Sequence, residues 1–349
     1  MHPIIEKDLN DILSRAICWD IFTNSKIFIT GGTGFFGKWL LLTLARADQL
    51  LNLNLHITVL SRSPENFLKE NPFFASLGKI SWLKGELASF EFPKGSFDFI
   101  FHMATTSARE TFKGESNLQK LDLLYFGTKH VLDFAVHAHV KKLLFTSSGV
   151  VYGNMTNING AVESSNSAPL TTDINSGLAE GKRIAEYLIN YYGNKYSLEF
   201  VIARCFSFLG PFMPLDVHYA VGNFILSCIK GEDIILTGNG TPVRSYLYVS
   251  DAIHWLIFLM TLKNQSQIYN LGSPKPISII DLAHLVRNSL GNTNKVIVTN
   301  QREVSVGNFV RNIYLPNIDR LKNELTNTKM VSLKTGIIKT YKYYNYDRL

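Results

Sequence analysis

The chain of 349 residues is 46% hydrophobic, which is enough to bury a sizeable core in one large or two medium globular domains. Its 35 basic and 28 acidic residues give a net charge of +7, but the charges are scattered, which disfavours a nucleic-acid surface and suits a small ligand that carries phosphate. Cys18, Cys205 and Cys228 are widely spaced among apolar residues, so we expect buried free thiols in a cytoplasmic protein and no metal site.

Residues 1–25 are predicted to form an N-terminal helical extension. We expect no signal peptide, because the pattern of one is not seen at the start of the chain. Apolar residues recur at helical spacing ahead of the first strand, at Ile5, Leu9, Ile12, Leu13 and Ile17. The extension is therefore expected to pack against the main domain or against a partner subunit.

The next stretch predicts a strand, a glycine-rich turn, a helix and a second strand. The apolar, β-branched run Lys26–Thr30 suits a buried parallel strand, and Leu55–Leu60 suits the next one. Between them, glycines at positions 32, 34 and 37 have the spacing of the dinucleotide fingerprint, which lets backbone amides approach a pyrophosphate at a helix N-terminus. The residues of this turn that we expect to contact a dinucleotide are Gly31, Thr33, Gly34, Phe35, Phe36 and Gly37.

The end of the second strand bears on which dinucleotide is bound. An NAD site usually has Asp or Glu here to hold the ribose hydroxyls, but this chain has Ser61 and Arg62. A hydroxyl beside a guanidinium suits a 2′-phosphate, which favours NADP over NAD. The alternative is that Arg62 lies over the adenine or faces solvent, in which case NAD is the coenzyme.

Further strands alternate with helices, which predicts a doubly wound parallel (Rossmann) sheet. The predicted strands are Ile80–Leu83, Phe97–Met103, Lys142–Ser148 and Leu198–Phe206, and the predicted helices cover residues 117–138 and 175–192. Ligands of such sheets bind at the carboxyl ends of the strands. We therefore expect coenzyme contacts at Glu86, Leu87, Met103, Ala104 and Thr105, and functional hydroxyls at Thr105, Thr106, Ser147 and Ser148.

A change of composition at Gly210, with prolines close behind it, predicts a boundary between residues 26–209 and a smaller α+β region, residues 210–349, interleaved with the first domain. In this region Asp251 is interpreted as the cap of an apolar helix that includes Ile253–Leu262, a run too short to span a bilayer. Ser278 is interpreted as the cap of a further helix, Ile279–Ser289. The tyrosine-rich tail from Lys339 is expected to be a last helix that packs back, or a cationic docking surface.

Four motifs together resemble the extended short-chain dehydrogenase/reductase family, in its NAD(P)-dependent epimerase/dehydratase branch that acts on nucleotide sugars. They are TGGTGFFG at 30–37, SSGVVYG at 147–153, EGKRIAE at 180–186 and RSYLYVSDA at 244–252. The resemblance covers about residues 26–345. It implies a nucleotide diphosphate sugar as substrate, a homodimer formed through helices after the fourth and fifth strands, and a role in surface polysaccharide, O-antigen or deoxysugar biosynthesis.

In that family a Ser or Thr, a Tyr and a Lys four residues later perform hydride chemistry at a sugar carbon, and the Lys also holds the nicotinamide ribose of the coenzyme. The matching positions are Ser148 and Lys182, but the tyrosine position holds Leu178, which cannot exchange a proton. Three readings follow. Another group carries the proton, with Tyr152, His102 and His218 as candidates; the protein runs slow or stoichiometric redox chemistry; or it has lost catalysis and keeps ligand binding in a regulatory or scaffolding role.

A second departure bears on the reaction. Dehydratases of this family follow the Ser or Thr with Asp and Glu, and the related decarboxylases keep the Glu, but this chain has Gly149 and Val150. The resemblance therefore favours an epimerase or a simple oxidoreductase over an atypical 4,6-dehydratase or a decarboxylase. The positions matched to substrate contacts are Thr106, Ser148, His218, Asn223, Arg244 and Arg302, with Arg311 as an alternative to Arg302.

Overall fold

The computed structural model describes residues 1–105, 114–217, 219–263, 267–299, 312–325 and 329–346. Its strands are β1 (Lys26–Thr30), β2 (His56–Ser61), β3 (Ile80–Lys84), β4 (Phe99–His102), β5 (Lys142–Ser148), β6 (Glu199–Cys205), β7 (Phe208–Leu209), β8 (Ile234–Leu236), β9 (Val243–Arg244), β10 (Leu247–Tyr248), β11 (Gln267–Leu271), β12 (Ile277–Ser278), β13 (Val296–Val298) and β14 (Ile313–Tyr314). Its α-helices are α1 (Pro3–Leu13), α2 (Phe35–Leu51), α3 (Pro64–Glu70), α4 (Asn117–His137), α5 (Gly177–Tyr196), α6 (Ala220–Lys230), α7 (Val249–Thr261), α8 (Ile279–Ser289), α9 (Asp319–Glu324) and α10 (Leu333–Tyr344).

Seven strands form the central sheet, in the spatial order β11-β6-β5-β4-β1-β2-β3. Every neighbouring pair in it is parallel. The strand order reverses between β1 and β4, which is where a doubly wound sheet opens a ligand crevice at its carboxyl edge. This topology confirms the predicted Rossmann-type α/β fold.

Two hydrophobic cores lie on the two faces of the sheet. On one face, α2 and α7 contribute Trp39 and Trp255, both fully buried. On the other face, α4 and α5 contribute Phe134 and Ile189, which are also fully buried. Because both faces are covered, the central strands read as continuous apolar runs in the sequence rather than as alternating ones.

The N-terminal helix α1 packs against α2 and α7, as expected for an extension attached to the main domain. Ile5, Leu9 and Ile12 form its buried stripe, while Ile17 lies beyond its end. The buried carboxylate of Asp8 accepts a hydrogen bond from the Tyr248 hydroxyl at 2.7 Å and pairs with Lys339 of α10. The two ends of the chain are therefore joined by a charged contact.

The chain leaves the central sheet after β6 and then returns to it. Small sheets, β10-β7, β12-β9-β14 and β13-β8, build the region next to the carboxyl edge. β11 then joins the main sheet beside β6, and α7 packs on the first core. Residues 249–271 therefore belong spatially to the first domain, although they follow the predicted boundary.

Of the two helix caps predicted in the C-terminal half, one is confirmed and one is wrong. Ser278 caps α8, since its hydroxyl accepts from the Asp281 amide at 3.1 Å. The interpretation of Asp251 as a cap is wrong, because α7 begins one residue after Tyr248 and places Asp251 inside its first turn. There the carboxylate accepts from Arg15 Nη1 at 2.7 Å and from the Val331 amide at 2.8 Å, so Asp251 ties the two chain ends to α7.

The cysteines and the apolar helices bear on the remaining expectations. Cys228 is buried and Cys205 is partly buried, but Cys18 is exposed, because it lies in the connection after α1 rather than in the core. The prediction of three buried thiols is therefore wrong for Cys18. Among the described residues, no helix combines the length and the apolar character that crossing a membrane requires.

Candidate active site

The glycine turn lies at the carboxyl end of β1, beside the point where the strand order reverses. Gly31 has φ of +73°, and a Cβ there would come within 2.7 Å of the Ala104 nitrogen. A Cβ on Gly37 would lie 2.2 Å from the Gly31 carbonyl oxygen. Helix α2 starts after Gly34, and among the described residues no side chain caps its first amides. The turn therefore fits the pyrophosphate of a dinucleotide, which needs a close backbone and amides that can still bond an anion.

The other residues expected at the coenzyme follow β2, β3 and β4 along the same edge. Ser61 ends β2 and its hydroxyl accepts from the Ser63 amide at 3.3 Å, while Arg62 is exposed. Glu86 is exposed after β3, and Leu87 is buried against Gly127. After β4, Met103 is buried, Ala104 is half-buried and Thr105 is exposed. The structure thus brings these predicted contacts to one edge, while Thr106 lies outside the described residues.

Ser148 and Lys182 come to the same edge from β5 and α5. Ser148 ends β5, and its hydroxyl accepts from the Val150 amide at 3.3 Å. Lys182 Nζ donates to the Thr146 carbonyl oxygen at 2.7 Å and lies 4.6 Å from the centre of the Phe145 ring. Burial lowers the pKa of Lys182 to about 8, so the amine is still mostly charged at neutral pH.

Leu178 is the second residue of α5, one turn before Lys182 and half-buried. Side chains at this spacing share one face of a helix. Leu178 therefore presents an aliphatic group on the face from which Lys182 enters the site, where the family pattern has a phenol. The structure offers no ionisable group at this position.

Two of the three candidate proton carriers are committed elsewhere. His102 is fully buried, with its ring nitrogens bonded to the hydroxyls of Thr30 at 2.8 Å and Thr128 at 3.1 Å. Burial lowers the pKa of His102 to about 3, so the ring stays neutral. The Tyr152 hydroxyl donates to Asn270 Oδ1 at 2.8 Å inside the core. Both side chains are structural, and His218 lies outside the described residues.

Ser147 differs from its neighbour Ser148. Its buried hydroxyl donates to Glu186 Oε1 at 2.5 Å, and Glu186 also accepts from Arg204 Nε at 3.0 Å and Nη2 at 2.7 Å. The Arg204 guanidinium lies 4.7 Å from the centre of the Tyr152 ring. Burial by itself would lower the pKa of Arg204, but the hydrogen bonds that Arg204 donates to the Glu186 carboxylate, with the negative charge of that carboxylate, raise it. Ser147 therefore belongs to a buried ionic network and not to the binding edge where it was expected.

The residues matched to substrate contacts lie on α6 and β9. Asn223 is on the exposed side of α6, and with its side-chain amide turned so that the nitrogen faces its neighbours it donates to the carbonyl oxygens of Leu215 at 2.8 Å and Val217 at 2.9 Å. Arg244 is half-buried, and its Nη1 donates to the Val243 carbonyl oxygen at 2.8 Å. Contacts of both with a diphosphate stay predictions. Arg302 and Arg311 lie outside the described residues.

The sequence reasoning missed Tyr314. Its hydroxyl lies 3.4 Å from Ser148 Oγ, and its ring lies 6.0 Å from the Arg244 guanidinium. It is one of 15 tyrosines in the chain and stands outside the four family motifs. No signal in the sequence distinguishes it, because its place at the site depends on the pairing of two short strands that are distant in the chain.

Comparison with known proteins identifies the family. The model of the NAD dependent epimerase/dehydratase family matches residues 27–272. The chain belongs to this family. The match confirms the resemblance inferred from the four motifs and makes the protein a member of a family of NAD-dependent enzymes.

Individual relatives span much of the chain. UDP-glucuronic acid decarboxylase 3 of Arabidopsis thaliana is 31% identical over 76% of this chain and 74% of its own length. UDP-glucuronic acid decarboxylase 6 of the same plant is 29% identical with the same coverage. The solved UDP-glucuronic acid 4-epimerase from Bacillus cereus, in complex with UDP-glucuronic acid and NAD, has a TM-score of 0.77 at 19% identity, covering 92% of this chain and 99% of that one. At that identity the likeness shows the shared fold.

Proposed function

We propose that this chain binds a nicotinamide dinucleotide and a nucleotide diphosphate sugar, and transfers hydride at a sugar ring carbon as an epimerase or oxidoreductase. The observation that carries the proposal is the glycine turn, in which Gly31 and Gly37 leave no room for a side chain at the point where the strand order reverses. The family membership and the nucleotide-sugar relatives support the same ligand class.

Two side chains of this chain have clear parts in that reaction. Ser148, with its hydroxyl at the end of β5, would hold the oxygen of the reacting sugar carbon. Lys182 brings a positive charge to the Thr146 carbonyl, near the end of the same strand, in a buried position where charge acts strongly because water is excluded. When bound, the dinucleotide would supply the nicotinamide that accepts or returns the hydride.

The choice of coenzyme is proposed from the end of β2. Ser61 and the exposed Arg62 suit the 2′-phosphate of NADP, since a guanidinium binds phosphate through paired donors. The Bacillus cereus epimerase contains NAD, which keeps NAD as the alternative.

A decarboxylase or dehydratase reaction is less well supported, although the relatives above are named as decarboxylases. Gly149 and Val150 offer no acid after Ser148. A Cβ on Gly149 would lie 2.8 Å from the Phe206 ring and 2.9 Å from the Tyr314 hydroxyl, so an aspartate does not fit there without displacing both. An atypical 4,6-dehydratase would have to take its acid from another element.

One observation favours a second candidate function. Because Leu178 cannot carry a proton, the chain could hold both ligands without turnover and act as a regulatory or scaffolding relative. A cytoplasmic location, a homodimer and a pathway in surface polysaccharide or deoxysugar biosynthesis also stay proposals, and they rest on the family resemblance.

Coenzyme binding is tested first, by calorimetric titration of the purified protein with NADH and NADPH. Gly37→Ala is expected to weaken binding about tenfold to a hundredfold, because its methyl group collides with the backbone of the turn. Gly238→Ala is the matched control, since a Cβ there meets nothing within 4 Å. No binding of either coenzyme to the wild-type protein would refute the proposal.

Turnover is then tested with UDP-glucose, UDP-glucuronic acid and dTDP-glucose in the presence of coenzyme. Sugar products are identified by NMR and mass spectrometry, and reduced nicotinamide is followed by its absorbance. An epimer or keto sugar supports the enzyme. Tight binding of a nucleotide sugar without any change in it, or in the coenzyme, supports the silent relative.

A further inference from the structure

A tyrosine hydroxyl lies beside the serine that would hold the reacting oxygen. Tyr314 Oη is 3.4 Å from Ser148 Oγ, and it donates to the Cys205 carbonyl oxygen, also at 3.4 Å. Strong hydrogen bonds between hydroxyls span about 2.5–3.0 Å. At 3.4 Å the two hydroxyls do not hold each other strongly and are close enough for one substrate oxygen to lie within about 2.8 Å of both.

The ring of Tyr314 is held in place by its surroundings. Residues Ile313 and Tyr314 form β14, which pairs with β9 so that Tyr314 lies opposite Arg244. The ring packs on Phe206 with centres 4.8 Å apart, and only 9% of the residue is exposed. A phenol fixed in this way can present its oxygen at one position, as proton transfer requires.

Gly149 provides the space that the Tyr314 hydroxyl occupies. A Cβ at position 149 would come within 2.9 Å of that hydroxyl, closer than such atoms normally approach. The Tyr314 hydroxyl can therefore lie where it does only because position 149 carries no side chain.

Positive charge lies near this phenol and near the residue to which it donates. The Arg244 guanidinium is 6.0 Å from the centre of its ring. The charge of Lys182 acts on the thiol of Cys205, the residue whose carbonyl accepts from Tyr314. Burial raises the pKa of the Cys205 thiol to about 12, so that thiol is neutral and is not itself the proton carrier. Nearby cations stabilise the charge that a phenol acquires when it loses its proton.

We propose that Tyr314 is the catalytic residue that exchanges the proton of the sugar hydroxyl, in place of the tyrosine that Leu178 replaces. The inference rests on the proposed function. In oxidation, the substrate O–H bond breaks, its proton passes to the deprotonated oxygen of Tyr314, and the electron pair of that bond forms the carbonyl. The hydrogen on the same carbon leaves with its electron pair to the oxidised nicotinamide, and reduction reverses both transfers.

The test compares Tyr314→Phe, Leu178→Tyr and the double variant with the wild-type protein. Each is assayed for kcat and KM with the nucleotide sugar that the wild type turns over, and for calorimetric affinity toward that sugar without turnover; UDP-glucose is the probe if none is turned over. Tyr314→Phe is expected to lower kcat about a hundredfold to ten-thousandfold and to leave the affinity within about threefold. Adding Leu178→Tyr to the Tyr314→Phe variant is expected to raise kcat at least tenfold above that of Tyr314→Phe alone, because it returns a phenol to the same site. Tyr187→Phe, which removes an exposed hydroxyl on α5, is the control and should leave kcat unchanged.

Each of the other possible outcomes contradicts either the role of Tyr314 or the proposed reaction. Retention of kcat in Tyr314→Phe overturns the assignment, as does an equal loss of kcat and affinity, or a double variant that stays inactive. An inactive wild type that Leu178→Tyr activates overturns the role of Tyr314 and leaves the proposed ligands and reaction standing. If neither protein changes any nucleotide sugar, the proposed reaction fails and the role of Tyr314 fails with it.

Discussion

The two ends of the sheet's carboxyl edge present different chemical groups to a ligand: backbone atoms at one end and side chains at the other. At the β1–β2 end, the site is made of backbone, because Gly31 and Gly37 bring main-chain atoms within reach of a ligand. At the β5–β6 end, it is made of side chains that converge from β5, α5 and β14, with Ser148, Lys182 and Tyr314 as the groups concerned. A site made of backbone depends on the spacing of small residues in one stretch of sequence. In a site made of side chains, a functional group from one element can be replaced by a similar group from another element.

The side-chain end also carries its own support. Ser147, Glu186 and Arg204 form a buried ionic network directly behind Ser148. Such a network costs desolvation and is stable only while every member keeps its partner. We therefore expect this end of the edge to be sensitive to single polar substitutions, and the glycine end to be sensitive to added volume.

The largest expected effect comes from breaking that network with Arg204→Met. The substitution leaves the Glu186 carboxylate buried without the bidentate partner that holds it at 2.7 and 3.0 Å, which is expected to lower the free energy of unfolding by about 3–5 kcal/mol. Chemical denaturation measures the loss. Coenzyme affinity at the glycine turn should stay within about threefold while the protein is folded.

Two further variants show how much of the loss in unfolding free energy comes from leaving a buried charge without its partner. Lys129→Met breaks an ion pair with Asp133 whose side chains are 48% and 41% exposed, and should cost less than about 0.5 kcal/mol. Arg204→Met combined with Glu186→Leu should recover part of the loss, because no unpaired charge remains. Equal losses for the Arg204 and Lys129 variants would contradict the view that the side-chain end depends on its buried network.

The next effect concerns the charge on Lys182, whose pKa burial lowers to about 8 from 10.5. Between pH 8 and 10.5 the unfolded chain holds a proton that the native chain has released, so Lys182 makes the free energy of unfolding rise with pH in this window. Below pH 8 both states hold the proton and the cost of burying the charge is fully present. Lys182→Met lacks this dependence.

We therefore expect the stability of Lys182→Met relative to the wild type to fall as the pH rises from 7 to 10.5, by an amount of order 2–3 kcal/mol. Parallel denaturation series of the two proteins measure this difference, in which the titration of other groups cancels. A difference that does not vary with pH would show that the amine is solvated in the native protein. The side-chain end would then hold this charge without any cost in stability.

Much of the fold follows from the sequence, and the reason is visible in the core. β1 and β5 have the predicted bounds, because Lys26–Thr30 and Lys142–Ser148 each begin with a lysine, have an apolar centre and end in hydroxyl residues. The short pairs β9-β14 and β7-β10 were not predicted, since each strand has two residues and no periodicity of its own. What local pattern cannot show is a contact between residues brought together only by the fold.

The same limit applies to the site. The glycine turn could be recognised because all of its contributors lie within residues 31–37. Ser147 and Ser148 could not be told apart, because the difference between them is the position of Glu186 across the sheet. Tyr314 could not be found at all, since its hydroxyl meets Ser148 across 166 residues of sequence.

The smallest expected effect concerns whether a side chain at the glycine end selects between NADPH and NADH. Arg62→Ala is expected to weaken NADPH binding about fivefold to tenfold and to leave NADH binding within about twofold, because an exposed guanidinium contributes about 1 kcal/mol to a phosphate contact. Calorimetric titrations with both coenzymes measure the ratio. Arg287→Ala on α8, whose guanidinium bonds to Asn288, removes the same charge outside the main sheet and should not change it. Equal losses for both coenzymes would place Arg62 over the adenine, and no loss would place it in solvent. In either case this side chain would not select the coenzyme, and in the second case the glycine end would bind through backbone alone, which would sharpen the contrast between the two ends.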